Sequence, residues 1–413
     1  MKLKPHIEIT APVGSWESLQ AAIQAGADSV YFGVGVLNMR ARSSINFTFR
    51  DLVKISRICR KHGIKTYLTL NTVIFDNEMR EMKKIVDFAF RNKIDSIIAS
   101  DQAVIQYARS AGMEVHMSTQ ANITNLEAVK YWSQFSGTMV TARELSLGQV
   151  ASIHRSIIRR KIKGPTGDLV RIEVFAHGAL CMAVSGKCYL SLDHYNASAN
   201  RGACYQTCRR PYKVTDTDGG IELMVDNEYI MSPKDLCTIG FLDKIINSGV
   251  SVLKIEGRGR SPEYVKTVVS CYREAVDAVL DGTYSREKVE DWITRLKTVY
   301  NRGFWEGYYL GRKMGEWASQ HGSVATTHKE YIGKVSNYFK KLKVAEIRME
   351  SGALAKGDRI YIQGPTTGVV EFTVPEIRVE LKAVKKTVKG ESCSVPVDFV
   401  LRRADKVYKI VMT

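Results

Sequence analysis

The sequence predicts an α/β protein built on a TIM-type (β/α)8 barrel, with a Cys-rich insertion near the end of the barrel and a small all-β barrel domain behind it. Short apolar segments alternate with longer amphipathic ones, the pattern of βα units around a parallel sheet. Eight such units fill roughly 260 residues, the size of one closed barrel. Beyond about residue 330 the apolar period falls from three or four to two, and no helical pattern remains.

The strand candidates are IEITAP (7–12), DSVYFG (28–33), KTYLTLN (65–71), DSIIAS (95–100), EVHMSTQ (114–120), TMVTARE (138–144), RIEVFAHG (171–178) and SVLKIEG (251–257). Stretches such as SWESLQAAIQAGA and NEMREMKKIVDFAFRNK read as the helices between them. A doubly wound open sheet shares this alternation and is the competing arrangement. About seventy residues separate the seventh and eighth strands. A long insertion there, at about 179–245, is expected to be functional. The barrel is assigned to residues 1–310 and a polar, Gly-containing linker to 311–330. The β-rich domain takes 331–413, where closure into a barrel would remove exposed sheet edges.

No run approaches the ~18 apolar residues of a membrane-spanning helix, and MKLKPHIEITAP lacks the apolar core of a signal peptide, so a cytoplasmic chain with no membrane partner is expected. Lys and Arg number 60 against 43 Asp and Glu, a net charge of +17. Such a field attracts polyanions, nucleic acid first among them, although a basic surface also serves solubility.

Five of the eight cysteines, Cys181, Cys188, Cys204, Cys208 and Cys237, crowd into the insertion. Structural zinc sites usually draw close cysteine pairs, and only Cys204 and Cys208 approach that spacing. Widely spread thiolates suit an iron–sulfur cluster, which imposes no single spacing. Cluster, zinc and incidental thiols all remain open on spacing alone. Cys59 and Cys271 lie in helical patterns and Cys393 in a strand-like one, as small core residues do.

The stretch EVFAHGALCMAVSGKCYLS resembles the signature of the collagenase-like peptidase family of unassigned mechanism, peptidase U32, at Glu173, Phe175, Gly178, Cys181, Gly186, Cys188 and Ser191. APVGSWESLQAAIQAGADSVYFG, YIMSPKDLC and LKIEGRGRSPEYV are similar to further blocks of that family, so the resemblance covers the barrel. It implies more than the family's name. Members hydroxylate wobble uridine in tRNA, a cytidine in ribosomal RNA, or ubiquinone precursors. The ubiquinone branch is implied to hold a 4Fe-4S cluster on four cysteines, and the RNA modifiers to depend on prephenate. Carried over by motif, the cluster ligands are Cys181, Cys188, Cys204 and Cys237, with Cys208 as a substitute and zinc as the alternative metal.

The resemblance therefore implies an iron–sulfur tRNA hydroxylase forming 5-hydroxyuridine, with prephenate as a small anionic co-substrate. The alternatives are a ribosomal RNA cytidine hydroxylase, a collagenase-like peptidase and a non-catalytic RNA-binding protein. A flipped pyrimidine needs stacking and hydrogen bonds, and a dicarboxylate needs forked cations. At the strand ends, Arg40, Arg143, His177 and Glu256 are the expected catalytic groups, His177 as proton carrier or as structural histidine. Asn38, Arg42, Asn71, Gln120, Lys254 and Arg258 are the expected substrate-binding groups. Asp101 and Glu144 stand at strand ends too. HEXXH and GxSxG are absent, and Cys181 with His177 is the sole local thiol-protease pair.

Overall fold

The computed structural model describes residues 6–42, 46–184, 187–212, 231–311 and 316–413, with the backbone of 214–215 and 222–223. Gly186 of the signature, residues 43–45, 312–315 of the expected linker and most of 213–230 in the insertion lie outside the described residues.

Strands β1 (Glu8–Pro12), β2 (Ser29–Gly33), β3 (Lys65–Thr69), β4 (Ser96–Ala99), β5 (Glu114–Met117), β6 (Thr138–Val140) and β7 (Arg171–Gly178) pair in parallel, in sequence order. The insertion carries α7 (Leu190–Tyr195), a hairpin of β8 (Val214–Thr215) and β9 (Glu222–Leu223), and β10 (Asp235–Cys237). Then β11 (Val252–Ile255) pairs in parallel with both β1 and β7, which closes the barrel and excludes the open sheet. All eight predicted strands are present. Local chemistry starts the surrounding helices. Ser15 caps α1 (Trp16–Gln24), Thr48 and Asp51 form a capping box on α2 (Phe49–Lys61), and Pro262 opens α9 (Pro262–Leu280).

Two short strands extend the sheet at the mouth. β10 runs antiparallel to β7, with Cys237 opposite His177, and β12 (Phe304–Trp305) pairs with β10.

Alternation sends one set of side chains outward into the main apolar core and the other into the lumen. The lumen is polar. Glu8 accepts hydrogen bonds from Tyr67 and, at 2.8 Å, from Arg171. Burial alone would raise the Glu8 pKa, but Arg171, Tyr67 and Lys65 together hold it at about 2. A carboxyl depressed on folding stabilises the fold above its unfolded pKa and loses that contribution as pH falls toward the folded value. The depression from 4.5 to about 2 corresponds to about 3 kcal/mol. Denaturant midpoints of wild type and Glu8→Gln should therefore differ most above pH 5 and converge as pH falls from 4.5 toward 2.

The chain after the barrel forms an antiparallel sheet of β13 (Thr327–Phe339), β14 (Val344–Met349), β15 (Arg359–Gly364), β16 (Gly368–Thr373), β17 (Ile377–Val379), β18 (Lys382–Val384), β19 (Ser392–Pro396) and β20 (Lys406–Met412). Its order is β16-β15-β20-β13-β14-β19-β17-β18. One core draws Ile332, Ile347, Ile360, Val370, Ile377, Val395 and Val407 together from seven of these strands, so the sheet is curled around it. The sheet docks on α1 and α9: Gln24 donates to the Thr367 carbonyl at 2.8 Å and Lys266 to that of Val369 at 2.6 Å. Gly368, at φ +70°, lies where a Cβ would meet Gln24 Oε1 at 2.6 Å.

The expected linker is anchored rather than free. Lys234 N–H donates to the Glu316 carbonyl at 2.8 Å and Ala318 N–H to that of Ser232 at 2.7 Å, tying this segment to the end of the insertion. Cys59, Cys271 and Cys393 are buried in the two cores. No helix among the described residues is long and apolar enough to cross a membrane.

Candidate functional site at the barrel mouth

A cavity of about 750 Å³ opens at the C-terminal ends of the barrel strands. Its floor is made by strand-end side chains, Tyr31, Thr69, Ile98, Val140, Phe175 and Lys254. The βα loops supply its walls and the insertion its roof.

The roof begins at Gly178. Its φ of +107° and a would-be Cβ 2.8 Å from the Glu256 carbonyl oxygen leave room for glycine alone. The chain then turns over the mouth, and Cys181, Cys188, Cys204 and Cys208 all line the cavity. Burial pushes the Cys208 thiol up to about 11; Arg209 opposes this, and the nearby Cys181, Cys204 and Cys188 add to it. Among the described residues, no three His, Cys, Asp or Glu side chains are gathered tightly enough, as they stand, to hold a metal ion.

Cys237 does not line the cavity with the other four, which sets it apart from the rest of the ligand set that the family motif implies. It is absent from the cavity wall, is held in β10 against β7, and burial raises its thiol to about 11. Cys208 lines the cavity with Cys181, Cys188 and Cys204.

His177 is likewise not in the cavity. A register shift in the β7–β11 pairing accompanies its position against α9, where its Nδ1 lies 3.4 Å from the Tyr272 hydroxyl and its ring meets Tyr264. Burial, assisted by Arg260, lowers its pKa to about 3. Its place off the cavity wall, packed against Tyr272 and Tyr264, favours the structural histidine over the proton carrier.

The remaining wall is cationic, with eight basic lining side chains against two carboxylates, Glu144 and Glu256. Arg40 pairs with Glu256 at 2.8 Å, and the other Glu256 oxygen accepts from Ala179 N–H at 3.3 Å. Burial would raise the Glu256 pKa, but Arg40, Arg260 and Arg143 more than reverse it. Arg258 is 5 % exposed, yet its hydrogen bonds go to neutral oxygens: Thr69 Oγ1 and Asn38 Oδ1, both at 2.9 Å. Burial lowers its pKa to about 10. Arg143 lies 3.8 Å over the Phe175 ring and donates to the Ala179 carbonyl at 3.1 Å. Its Nε is buried with no hydrogen-bond partner among the described residues. Below them, Lys254 donates to Glu173 at 2.7 Å. Asn71 donates to Gln120 at 2.9 Å across the wall.

Asn38 does not line the cavity; it holds Arg258 from behind and is a positioning residue. Arg42 is exposed and also off the cavity wall. Asp101 caps its helix through Ala103 N–H at 2.9 Å. Sequence reasoning missed Tyr31, Arg209, Arg302, Trp305 and Trp317, all of which line the cavity. Tyr31 sits on a predicted strand at an inward-facing position and was findable from alternation; the tryptophans come from segments distant in sequence and carried no signal.

A closed parallel barrel whose mouth is roofed by a cysteine-bearing insertion over a basic pocket defines a (β/α)8-barrel protein with a thiol-lined binding site. More narrowly, the chain belongs to peptidase family U32, whose model matches residues 14–319. It is 57% identical over 402 residues to a protein named collagenase from Porphyromonas gingivalis, covering 97% of each chain. It is 32% identical over 383 residues to tRNA hydroxylation protein P1 of Bacillus subtilis, covering 90% of this chain and 86% of that one. With the 23S rRNA 5-hydroxycytidine synthase of Escherichia coli the identity is 32% over 324 residues, 76% of this chain and 47% of the other.

Proposed function

We propose that the protein is an iron–sulfur RNA hydroxylase of the cytoplasm that forms 5-hydroxyuridine at the tRNA wobble position, with a small dicarboxylate such as prephenate as co-substrate. The observation that carries this is the convergence of four cysteines of the insertion on one cationic barrel mouth. Relatives named for tRNA and ribosomal RNA hydroxylation support the RNA class.

The donor set fits a cluster. Four thiols spread around a cavity suit a cube that takes one thiolate at each iron, whereas a single zinc at ~2.3 Å from each sulfur needs them closer together. Cys181, Cys188, Cys204 and Cys208 would hold it, and when bound it supplies one-electron redox chemistry. The protein's own groups bind and orient. Arg143, through its unpartnered Nε, and Arg258, paired with neutral oxygens, are suited to the co-substrate carboxylates. Tyr31 and Phe175 give the floor on which a flipped pyrimidine would rest an aromatic lining, and the Asn71–Gln120 amides offer hydrogen bonds to its edge.

The name collagenase on a relative favours a peptidase as the second reading. Against it, no histidine is among the described cavity-lining residues, so no lining thiol or hydroxyl has an imidazole base beside it. Nucleoside analysis of RNA from cells with and without the protein tests the proposal. Loss of 5-hydroxyuridine from tRNA supports it, loss of a hydroxycytidine from ribosomal RNA selects the nearest rival, and unchanged RNA together with thiol-dependent peptide cleavage by pure protein selects the peptidase.

A further inference from the structure

We propose that the outer rim of the cavity is a stacking platform for single-stranded RNA, built from Tyr189, Tyr195, Tyr205 and Arg210. It would hold the nucleotides that flank the one entering the cavity, and it rests on the RNA reading above.

Tyr189 lines the cavity yet is 79 % exposed, and Tyr205 and Tyr195 are 50 % and 44 % exposed. Large aromatic rings left in water beside a pocket are a binding signal, because folding alone would cover them. Their arrangement is built. Ser191, on the buried side of α7, accepts the Tyr205 N–H at 3.0 Å and ties the helix to the 203–206 turn. This brings the Tyr195 and Tyr205 rings to 5.2 Å between centroids, tilted by 50°. Arg210 lies 5.5 Å over Tyr195. Elsewhere in the insertion, the Arg201 guanidinium, paired with Glu78, lies 4.1 Å above the Phe75 ring, which is 54 % exposed.

Rings interleaved with guanidinium groups match stacked bases and their phosphates, and the net charge of +17 has the sign an RNA strand requires. An aliphatic protein surface would leave the Arg210 cation unanswered. A duplex hides its base faces, so the strand must be unpaired, as in a loop.

Full-length protein purified anaerobically is titrated with a fluorescent RNA stem–loop and with a fully paired duplex of equal length. Tyr195→Ala should weaken stem–loop binding about 10-fold, and Tyr195→Ala with Tyr205→Ala further still. Tyr195→Phe should bind as wild type, and the duplex affinity should not change. Iron content, compared across variants, shows that the neighbouring thiols are undisturbed. Stem–loop affinity equal to wild type in Tyr195→Ala overturns the platform, most plainly if that variant instead loses a concentration-dependent dimer, which would make the rim a contact between copies. If wild type binds no RNA at all, the RNA reading fails and the platform with it.

Discussion

Cys208→Ala is expected to empty the cluster site, while Cys237→Ala leaves it filled. Anaerobically purified wild type should carry about four irons and four sulfides per chain, and each of Cys181→Ala, Cys188→Ala, Cys204→Ala and Cys208→Ala should fall below about one iron and lose RNA modification entirely. Iron and sulfide analysis with the visible spectrum reads this directly. The reason is placement: Cys208 shares the cavity with the other three thiols, whereas Cys237 is locked in β10 beside His177. Iron lost from Cys237→Ala and kept in Cys208→Ala would restore the ligand set that the motif implies. Stoichiometric zinc without iron in the anaerobic preparation would defeat the cluster.

Glu173→Leu is expected to destabilise the barrel by about 3–5 kcal/mol, because it strands a buried cation. Glu173 is 0 % exposed and Lys254 5 %, and their 2.7 Å bond joins the neighbouring strands β7 and β11 at the cavity floor. Burial opposes the charge on Glu173, but Lys254 and His116 keep its pKa below the ordinary value. The double variant Glu173→Leu with Lys254→Met removes both charges and should recover most of the loss, since an apolar pair of similar volume fills the same space without the desolvation cost. Chemical denaturation of the two single variants and the double variant completes the cycle. A double variant as unstable as Glu173→Leu alone would mean that the effect is a packing defect, not the stranded charge.

The barrel was legible because its signal is local. Residues 96–99 or 171–178 read as strands from β-branched, apolar runs bounded by turns; their number suggested a closed barrel, and the pairing of β11 with both β1 and β7 decided it against the open sheet. Arg40, Arg143, Glu256 and Arg258 were legible as mouth residues for the same reason, since a position just past a parallel strand faces the catalytic end whatever the neighbouring sequence. What each does there was not legible. Asn38 and Arg42 lie four residues apart on one loop, yet Asn38 is buried behind Arg258 and Arg42 faces solvent. The difference depends on Arg258, 220 residues further along the chain.

By itself, then, the sequence determined the alternating units, the location of the insertion and the presence in it of more thiols than a four-sulfur site uses. Periodicity and turn chemistry act over a few residues, and a single chain displays them. Which four thiols face the cavity, where His177 points and how Trp317 reaches the mouth were decided only by the tertiary structure. The pairing of β10 with β7 turns Cys237 away from the other thiols, and the bonds of Glu316 and Ala318 to the end of the insertion bring the segment between the domains to the mouth. Those contacts join residues far apart in sequence, and their geometry exists only once the barrel has closed.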